Sequence, residues 1–260
     1  MSNVIEYKDC YVAFVDVLGF KNIIQNGSCE EIYSIFEDLS ITGRMRFMYN
    51  EDEVIALNDV RYMIMSDSIV MYIESSITDS LFALLYKCQR LQKELLDRSI
   101  PIFLRGGISK GELFVDEEKH IIFGKALTSA YLMENGLAKY PRIIFNKELL
   151  DTNTQQNITF ASSEWKSLVI EKDEDELYFV SYIGAILVVN DDKHFVDYLD
   201  SILSYCQKQL DSSHDPSIRE KYLWVKKMIL RCYKPNSLAI ERFCGNCDEF
   251  NKKWEIKLHE

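Results

Sequence analysis

Two short runs hold the residues best suited to chemistry. The first, Tyr11-Val12-Ala13-Phe14-Val15-Asp16-Val17-Leu18-Gly19-Phe20, is apolar and β-branched until it reaches a carboxylate and then a glycine. It reads as a strand buried on both faces. An aspartate at its end is costly to bury without a cationic partner, and a glycine just beyond lets backbone approach a ligand. The second run, Met65-Ser66-Asp67-Ser68, is a polar break between two apolar stretches and predicts a hairpin with Asp67 at its tip. If the two acids meet, they suit a pair of Mg²⁺ or Mn²⁺ ions bridging a nucleoside triphosphate. Such hard ions take one or two carboxylates plus phosphate oxygens. The expected ligands are Asp16, Asp67 and the Val17 carbonyl. The N–H groups of Leu18, Gly19 and Phe20, opening a short helix, are expected to hold phosphate oxygens. Arg105, heading Arg-Gly-Gly-Ile-Ser-Lys-Gly-Glu, either adds positive charge nearby or pairs a surface acid. Plainer readings stand beside these: Asp16 as the cap of the following turn, Asp67 as an ordinary turn residue.

The elements that must position these groups follow from periodicity. Lys21 to Gln25 predicts a short helical turn, and Ser28 caps a helix running from Cys29 to about Tyr49. Val54 to Ile64 and Ile69 to Ile73 read as strands on either side of Asp67. Thr78 or Asp79 caps a helix whose apolar stripe is Leu81, Leu84, Leu85, Cys88, Leu91 and Leu95. Ile100 to Ser109 is the next strand, and Gly106-Gly107 marks a bulge or a close backbone contact. Leu113 to Val115 and His120 to Phe123 pair around a charged turn. A helix from about Lys125 to Lys139 and a strand from Arg142 to Phe145 follow. Two short strands, Ser167 to Ile170 and Leu177 to Tyr182, flank the acidic run Glu171 to Glu176, which reads as a solvated turn. Helices fill the rest; Asp215-Pro216 opens one and Pro235 is expected to end it. The alternation predicts an α+β fold with a ferredoxin-like, palm-type antiparallel sheet and flanking helices. Residues 1–186 form the expected core domain and 187–260 a C-terminal helical extension packed on it or on a partner. In that topology the first strand lies beside the hairpin, so Asp16 and Asp67 converge.

Composition narrows the function. A net charge of −11 excludes a basic footprint for nucleic acid or anionic membrane. No apolar run is long enough to span a bilayer, and Met1 to Lys8 shows no basic-then-apolar pattern, so a cytoplasmic protein is expected. Seven cysteines scattered through apolar segments suit reduced thiols rather than a disulfide framework. Cys244-Gly-Asn-Cys247 lacks the second ligand pair of a structural zinc site.

Phe14-Val15-Asp16-Val17-Leu18-Gly19-Phe20 resembles the first metal motif of class III nucleotidyl cyclases. Ser66-Asp67-Ser68-Ile69-Val70 resembles their second, and Arg105-Gly106-Gly107-Ile108-Ser109-Lys110-Gly111-Glu112 their Arg-x-Gly-Ile-x-x-Gly-Glu strand. Phe123-Gly124 and the helix from Lys125 match their final helix region. With Ala130-Tyr131-Leu132-Met133-Glu134 and Tyr140-Pro141-Arg142-Ile143, the wording is most similar to the pyrimidine nucleotide cyclases of bacterial Pycsar anti-phage defence. The resemblance covers about Tyr11 to Phe145. It implies a homodimer with two-metal sites at its interface, using Mn²⁺ or Mg²⁺. It further implies a UTP or CTP substrate, UTP preferred, a cyclic UMP or CMP product, and a separate effector protein activated by that product.

Departures from the family pattern fall at informative places. The lysine that purine cyclases carry four residues before the second aspartate is Met63 here, and their second base-reading position is Ile121. Neither side chain can hydrogen-bond a purine edge; Arg61 or Tyr62 is the expected substitute. The asparagine and arginine that stabilise the transition state fall at Thr128 and Leu132. Lys125, Arg105 or Arg142 must then supply that charge, or turnover is slow or absent. A nucleotide-sensing module without catalysis is the alternative. A palm-type polymerase or dinucleotide cyclase is a third, disfavoured because Met65 to Ile69 lacks a Gly-Gly-Asp/Glu-Glu-Phe turn.

Overall fold

Strand β1 (Lys8–Val17) pairs antiparallel on both edges, with β5 (Ser68–Glu74) on one side and β6 (Leu104–Asp116) on the other. A strand in that position has no free edge, and its backbone groups are paired on both sides. In the computed structural model, residues 5–42, 47–50, 53–55, 59–151, 170–181, 195–244 and 247–255 are described. Among them the sheet runs β4-β5-β1-β6-β8-β10-β9, with β7 attached to β6. The further strands are β4 (Arg61–Met65), β7 (Ile121–Phe123), β8 (Ile143–Phe145), β9 (Ile170–Lys172) and β10 (Tyr178–Val180). All pairs in it are antiparallel except β6 with β8.

Alternation along β1 assigns its two faces. Tyr11, Ala13, Val15 and Val17 point to one side, where helix α3 (Ser80–Leu96) lays down Leu84, Leu85, Cys88, Leu91 and Leu95. Cys10 and Val12 point to the other, under helix α4 (Lys125–Gly136), which contributes Ala126 and Ala130. That second face opens towards the end of β1, where Phe14 and Asp16 are only partly buried.

Most local expectations hold. Ser28 and Glu31 form a reciprocal cap at the start of α2 (Cys29–Thr42): the Glu31 N–H donates to the Ser28 hydroxyl, and the Ser28 N–H donates to the Glu31 carboxylate. Asp79 occupies the N-cap position of α3 through its backbone carbonyl, which accepts from the Ala83 N–H at 2.9 Å, and makes no side-chain capping hydrogen bond. Asp215 accepts from the N–H groups of Ser217 and Ile218 at the start of the long helix Pro216–Cys244. Gly106 and Gly107 lie within one continuous thirteen-residue strand, so the expected break near Ser109 is absent.

Three expectations are corrected. Phe47–Asn50 is strand β2, paired with β3 (Glu53–Ile55) as a separate ribbon, so α2 stops short of Tyr49 and Val54 to Ile64 is not one strand. The helix from Pro216 continues through Pro235 to Cys244, since a proline removes one donor without ending a helix by itself. The other C-terminal helices are α6 (Phe195–Ser212) and α8 (Asp248–Lys253), the long one being α7 and Glu148–Asp151 being α5. Parts of the two expected strands near Ser167 and Tyr182 lie outside the described residues. A second core joins these helices to the sheet: Leu199, Ile202, Cys206, Val225 and Ile229 pack with Phe103, Ile144 and Phe179.

The acidic run after β9 is not merely solvated. Arg142, fully buried, donates to Asp173 and Asp175, and Asp173 also accepts from Trp224 Nε1 at 2.8 Å and Arg231 Nη1 at 3.1 Å. The guanidinium also lies over the rings of Tyr140 and Trp224. Arg142 is therefore a pin between sheet and C-terminal helix, and is not placed to meet a phosphate. Removing one partner of a buried ion pair leaves the other charge uncompensated, at about 3–5 kcal/mol. Arg142→Met should accordingly lower the unfolding free energy by about that amount in urea titrations; a loss below about 1 kcal/mol would contradict the pinning role.

Candidate active site

The end of β1 is fixed by its two neighbours. Asp16 pairs in register with Ser68 of β5 and with Arg105 of β6. Met65 pairs with Ser68, which leaves Ser66 and Asp67 as a two-residue turn, with Ser66 in the left-handed region at φ 59°. The Val17 N–H donates to the Asp67 carbonyl at 3.0 Å and ties the turn to the strand end. The topology thus brings the two acids together, as the sequence pattern anticipated.

Arg105 and Glu134 complete the cluster. Arg105 Nε donates to Asp16 Oδ2 at 3.1 Å and lies 2.7 Å from Glu134 Oε1. Glu134 comes from α4, which can approach β6 because residue 107 is glycine. A Cβ at Gly107 would sit 2.4 Å from the Ala130 carbonyl oxygen and 2.6 Å from Met133 Cβ. The close contact foreseen for the Gly-Gly pair is thus the device that delivers Glu134 to Arg105.

Burial and like charge dominate the electrostatics. The Asp16 carboxyl is held above its ordinary range chiefly by burial, with Asp67 pushing the same way; the Arg105 hydrogen bond and charge, and the more remote charge of Lys221 on α7, oppose this. Glu134 is raised as well, first by burial and then by the charges of Asp16 and Asp67, against the pull of Arg105. A single guanidinium is therefore shared in a field of three carboxylates. A divalent cation would offset that excess, and the oxygen-only donor set of Asp16, Asp67 and the Val17 carbonyl suits Mg²⁺ or Mn²⁺, which keep water and phosphate in their remaining positions. Among the described residues no group of three or more His, Cys, Asp or Glu side chains is gathered as a ready-made cation site. Arg105 engages only Oδ2 of Asp16, and a dication bound there would repel the neighbouring guanidinium.

The other anticipated residues divide. Gly19 adopts φ 75° at the N-cap of α1 (Phe20–Asn26), a left-handed position that favours glycine. Phe20 is buried, with its ring 5.7 Å from that of Phe36. The Leu18 N–H is not available to a phosphate: it donates to the Phe103 carbonyl at 2.9 Å. Lys125 pairs with Glu112 at 2.8 Å, seven residues along β6 from Arg105, which is roughly 23 Å at about 3.3 Å per residue. Within one chain it does not join the acids. Arg61 pairs in register with Tyr72, on the α4 face that carries Asp16, whereas Tyr62 turns to the α3 face, where Lys87 lies 5.4 Å from its ring centre. Leu132 is 58 % exposed on α4. Glu134 and Lys221 were not anticipated as part of the site; only the helical spacing of Glu134 from Ala130 signalled which face it occupies.

No protein-family model matches the chain, and no curated protein sequence does. Among solved structures, it is similar to the adenylyl cyclase CyaB from P. aeruginosa, with a TM-score of 0.46 and 15% identity over 68% of this chain and 95% of that one. It is likewise similar to the catalytic core of a rhodopsin-guanylyl cyclase with converted specificity, at 0.46 and 12% over 68% and 96%. A bacterial light-regulated adenylyl cyclase gives 0.41 and 13% over 75% and 98%.

Glu134 makes the fold pH-dependent in a defined direction. Its folded pKa lies above the ordinary glutamate value of 4.5, so the folded protein holds this proton more tightly than the unfolded chain. The penalty is absent below that value and grows as pH rises through the raised one. Stability should therefore decline over that window, and Glu134→Gln should flatten the decline in urea midpoints measured against pH; an unchanged slope would contradict the assignment.

Proposed function

We propose that the protein is a metal-dependent nucleotide cyclase acting on a pyrimidine nucleoside triphosphate, UTP in preference to CTP. The observation that carries the reading is the convergence of Asp16 and Asp67 through the Val17–Asp67 backbone bond, beside a glycine turn. Asp16, Asp67 and the Val17 carbonyl would hold Mg²⁺ or Mn²⁺. When bound, the ions lower the pKa of the attacking hydroxyl and neutralise the leaving pyrophosphate.

In the reaction, the 3′ oxygen forms a bond to the α-phosphorus. The bond from that phosphorus to the bridging oxygen breaks, pyrophosphate leaves with its electron pair, and the hydroxyl proton passes to solvent. The Gly19 and Phe20 N–H groups face the triphosphate in this reading, without Leu18. Of Arg61, Met63 and Met65 on the Asp16 face of β4, Arg61 is the one that can hydrogen-bond a base edge and is assigned to it; Met63 and Ile121 cannot read a purine edge. Lys125 reaches the acids only from a second copy, which fits a head-to-tail homodimer with sites at its interface. The exposed apolar residues Tyr131 and Leu132 on α4 and Ile64 and Met65 on β4 suit such a contact. The cyclic nucleotide would serve a cytoplasmic anti-phage system by activating a separate effector. Among the described residues, no helix is long and apolar enough to cross a membrane.

Exposed Leu132, where the resembling cyclases place an arginine, favours a second reading: a nucleotide sensor that binds without turnover. Incubation of the chain with each nucleoside triphosphate and Mn²⁺, with chromatography of the products, separates the two. The cyclase reading expects a cyclic pyrimidine nucleotide and stoichiometric pyrophosphate, reduced about 100-fold or more in Asp16→Asn. Nucleotide retained without pyrophosphate release supports the sensor. The dimer is tested by sedimentation, where Leu132→Glu should shift the protein to monomer; an unchanged dimer would place the interface elsewhere.

A further inference from the structure

Arg105 Nε carries one hydrogen and faces two acids. It donates that hydrogen to Asp16 Oδ2, although Glu134 Oε1, at 2.7 Å, is the nearer oxygen. Glu134 Oε1 is buried and has no hydrogen-bond partner, on a side chain only 5 % exposed. Buried polar groups in folded proteins are nearly always hydrogen-bonded, so an oxygen without a donor is unusual and unfavourable. Asp16 is the more open of the two acids, its side chain 17 % exposed. The arrangement is thus complete for Asp16 and incomplete for Glu134, and redirecting one N–H would reverse it.

We propose that Glu134 is a positioning residue that receives Arg105 when a divalent cation takes Asp16, making Arg105 a transferable counter-ion. The inference rests on the reading of Asp16 as a metal ligand. A dication at Asp16 repels the neighbouring guanidinium and replaces the charge it supplied. Arg105 then needs another acid within reach, and Glu134 is already at contact distance. The close packing of α4 on Gly107 fixes Glu134 there, so the transfer needs no movement of backbone. Before the cation arrives, Arg105 offsets the charge of Asp16 near Asp67; afterwards it satisfies the unpaired Glu134 oxygen. The gain at Glu134 offsets the loss of the Arg105–Asp16 bond and so raises affinity for the cation.

The test is Mn²⁺ binding by the full-length protein, read from the free-ion electron paramagnetic resonance signal with 3′-deoxy-UTP, which has no attacking hydroxyl. Glu134→Gln should weaken Mn²⁺ binding about tenfold and Glu134→Asp should recover most of it. In an Arg105→Gln background the further change Glu134→Gln should alter affinity less than about twofold, because there is no guanidinium left to receive. A general effect of negative charge predicts the opposite, an equal or larger loss in that background, and would overturn the transfer. So would unchanged affinity in Glu134→Gln alone. Circular dichroism identifies any variant that fails to fold, in which case Arg105→Met supplies the second background. If the unaltered protein takes up no Mn²⁺, or Asp16→Asn binds it equally well, the metal-ligand reading itself falls and the transfer with it. Normal loss in Asp16→Asn with no effect of Glu134→Gln overturns the transfer alone.

Discussion

The register of β1 between β5 and β6 is the constraint on which the site depends. Pairing on both edges fixes which residue of each neighbour stands beside Asp16: Ser68, adjoining the Asp67 turn, on one side and Arg105 on the other. A slip of one residue would turn Asp16 to the α3 face, among Val15 and Val17, where a carboxylate has no partner. The apolar residues of β1 therefore do more than fill a core. They hold the register that aims one acid at the open end of the sheet.

The same register organises the second layer. Arg105 faces α4 because Leu104 and Ile108 face α3, and Gly107 on the Arg105 side admits the helix closely enough for Glu134 to reach the guanidinium. Strand β6 thus supplies a charge and a gap two residues apart, and α4 fills both. At the start of β8, beside β6, Arg142 works differently. It is enclosed by two aspartates and two aromatic rings and joins the strand layer to α7. That helix also brings Lys221 towards Asp16, so the C-terminal helices bear on the charge at the site as well as on stability.

Much of this was legible from residue order. The buried strand, the hairpin and the helix stripe of α3 each follow from local periodicity, and the convergence of Asp16 and Asp67 follows from their connection. What escaped depended on contacts between distant segments. Glu134 read as an exposed helix residue or a salt-bridge partner, because helical spacing says which face it occupies, not what lies opposite; it is the ion-pair partner of Arg105. Asp173 and Asp175 looked solvated because their partner, Arg142, is some thirty residues away in sequence. Lys125 was weighed beside Arg105 as a source of positive charge, yet it opens α4 next to Glu112, seven residues along β6 from Arg105, since residue order does not record separation in space. Of the two candidate base readers, Tyr62 lies on the α3 face and Arg61 on the Asp16 face, because one residue along a strand reverses the face.

Anomalous diffraction from crystals grown with Mn²⁺ and 3′-deoxy-UTP bears most directly on the central claim. The account predicts manganese at roughly 2.1 Å from carboxylate oxygens of both Asp16 and Asp67, with the triphosphate beside the Gly19 turn. Manganese bound elsewhere, or a nucleotide-loaded protein in which Asp16 and Asp67 share no ion, would contradict it.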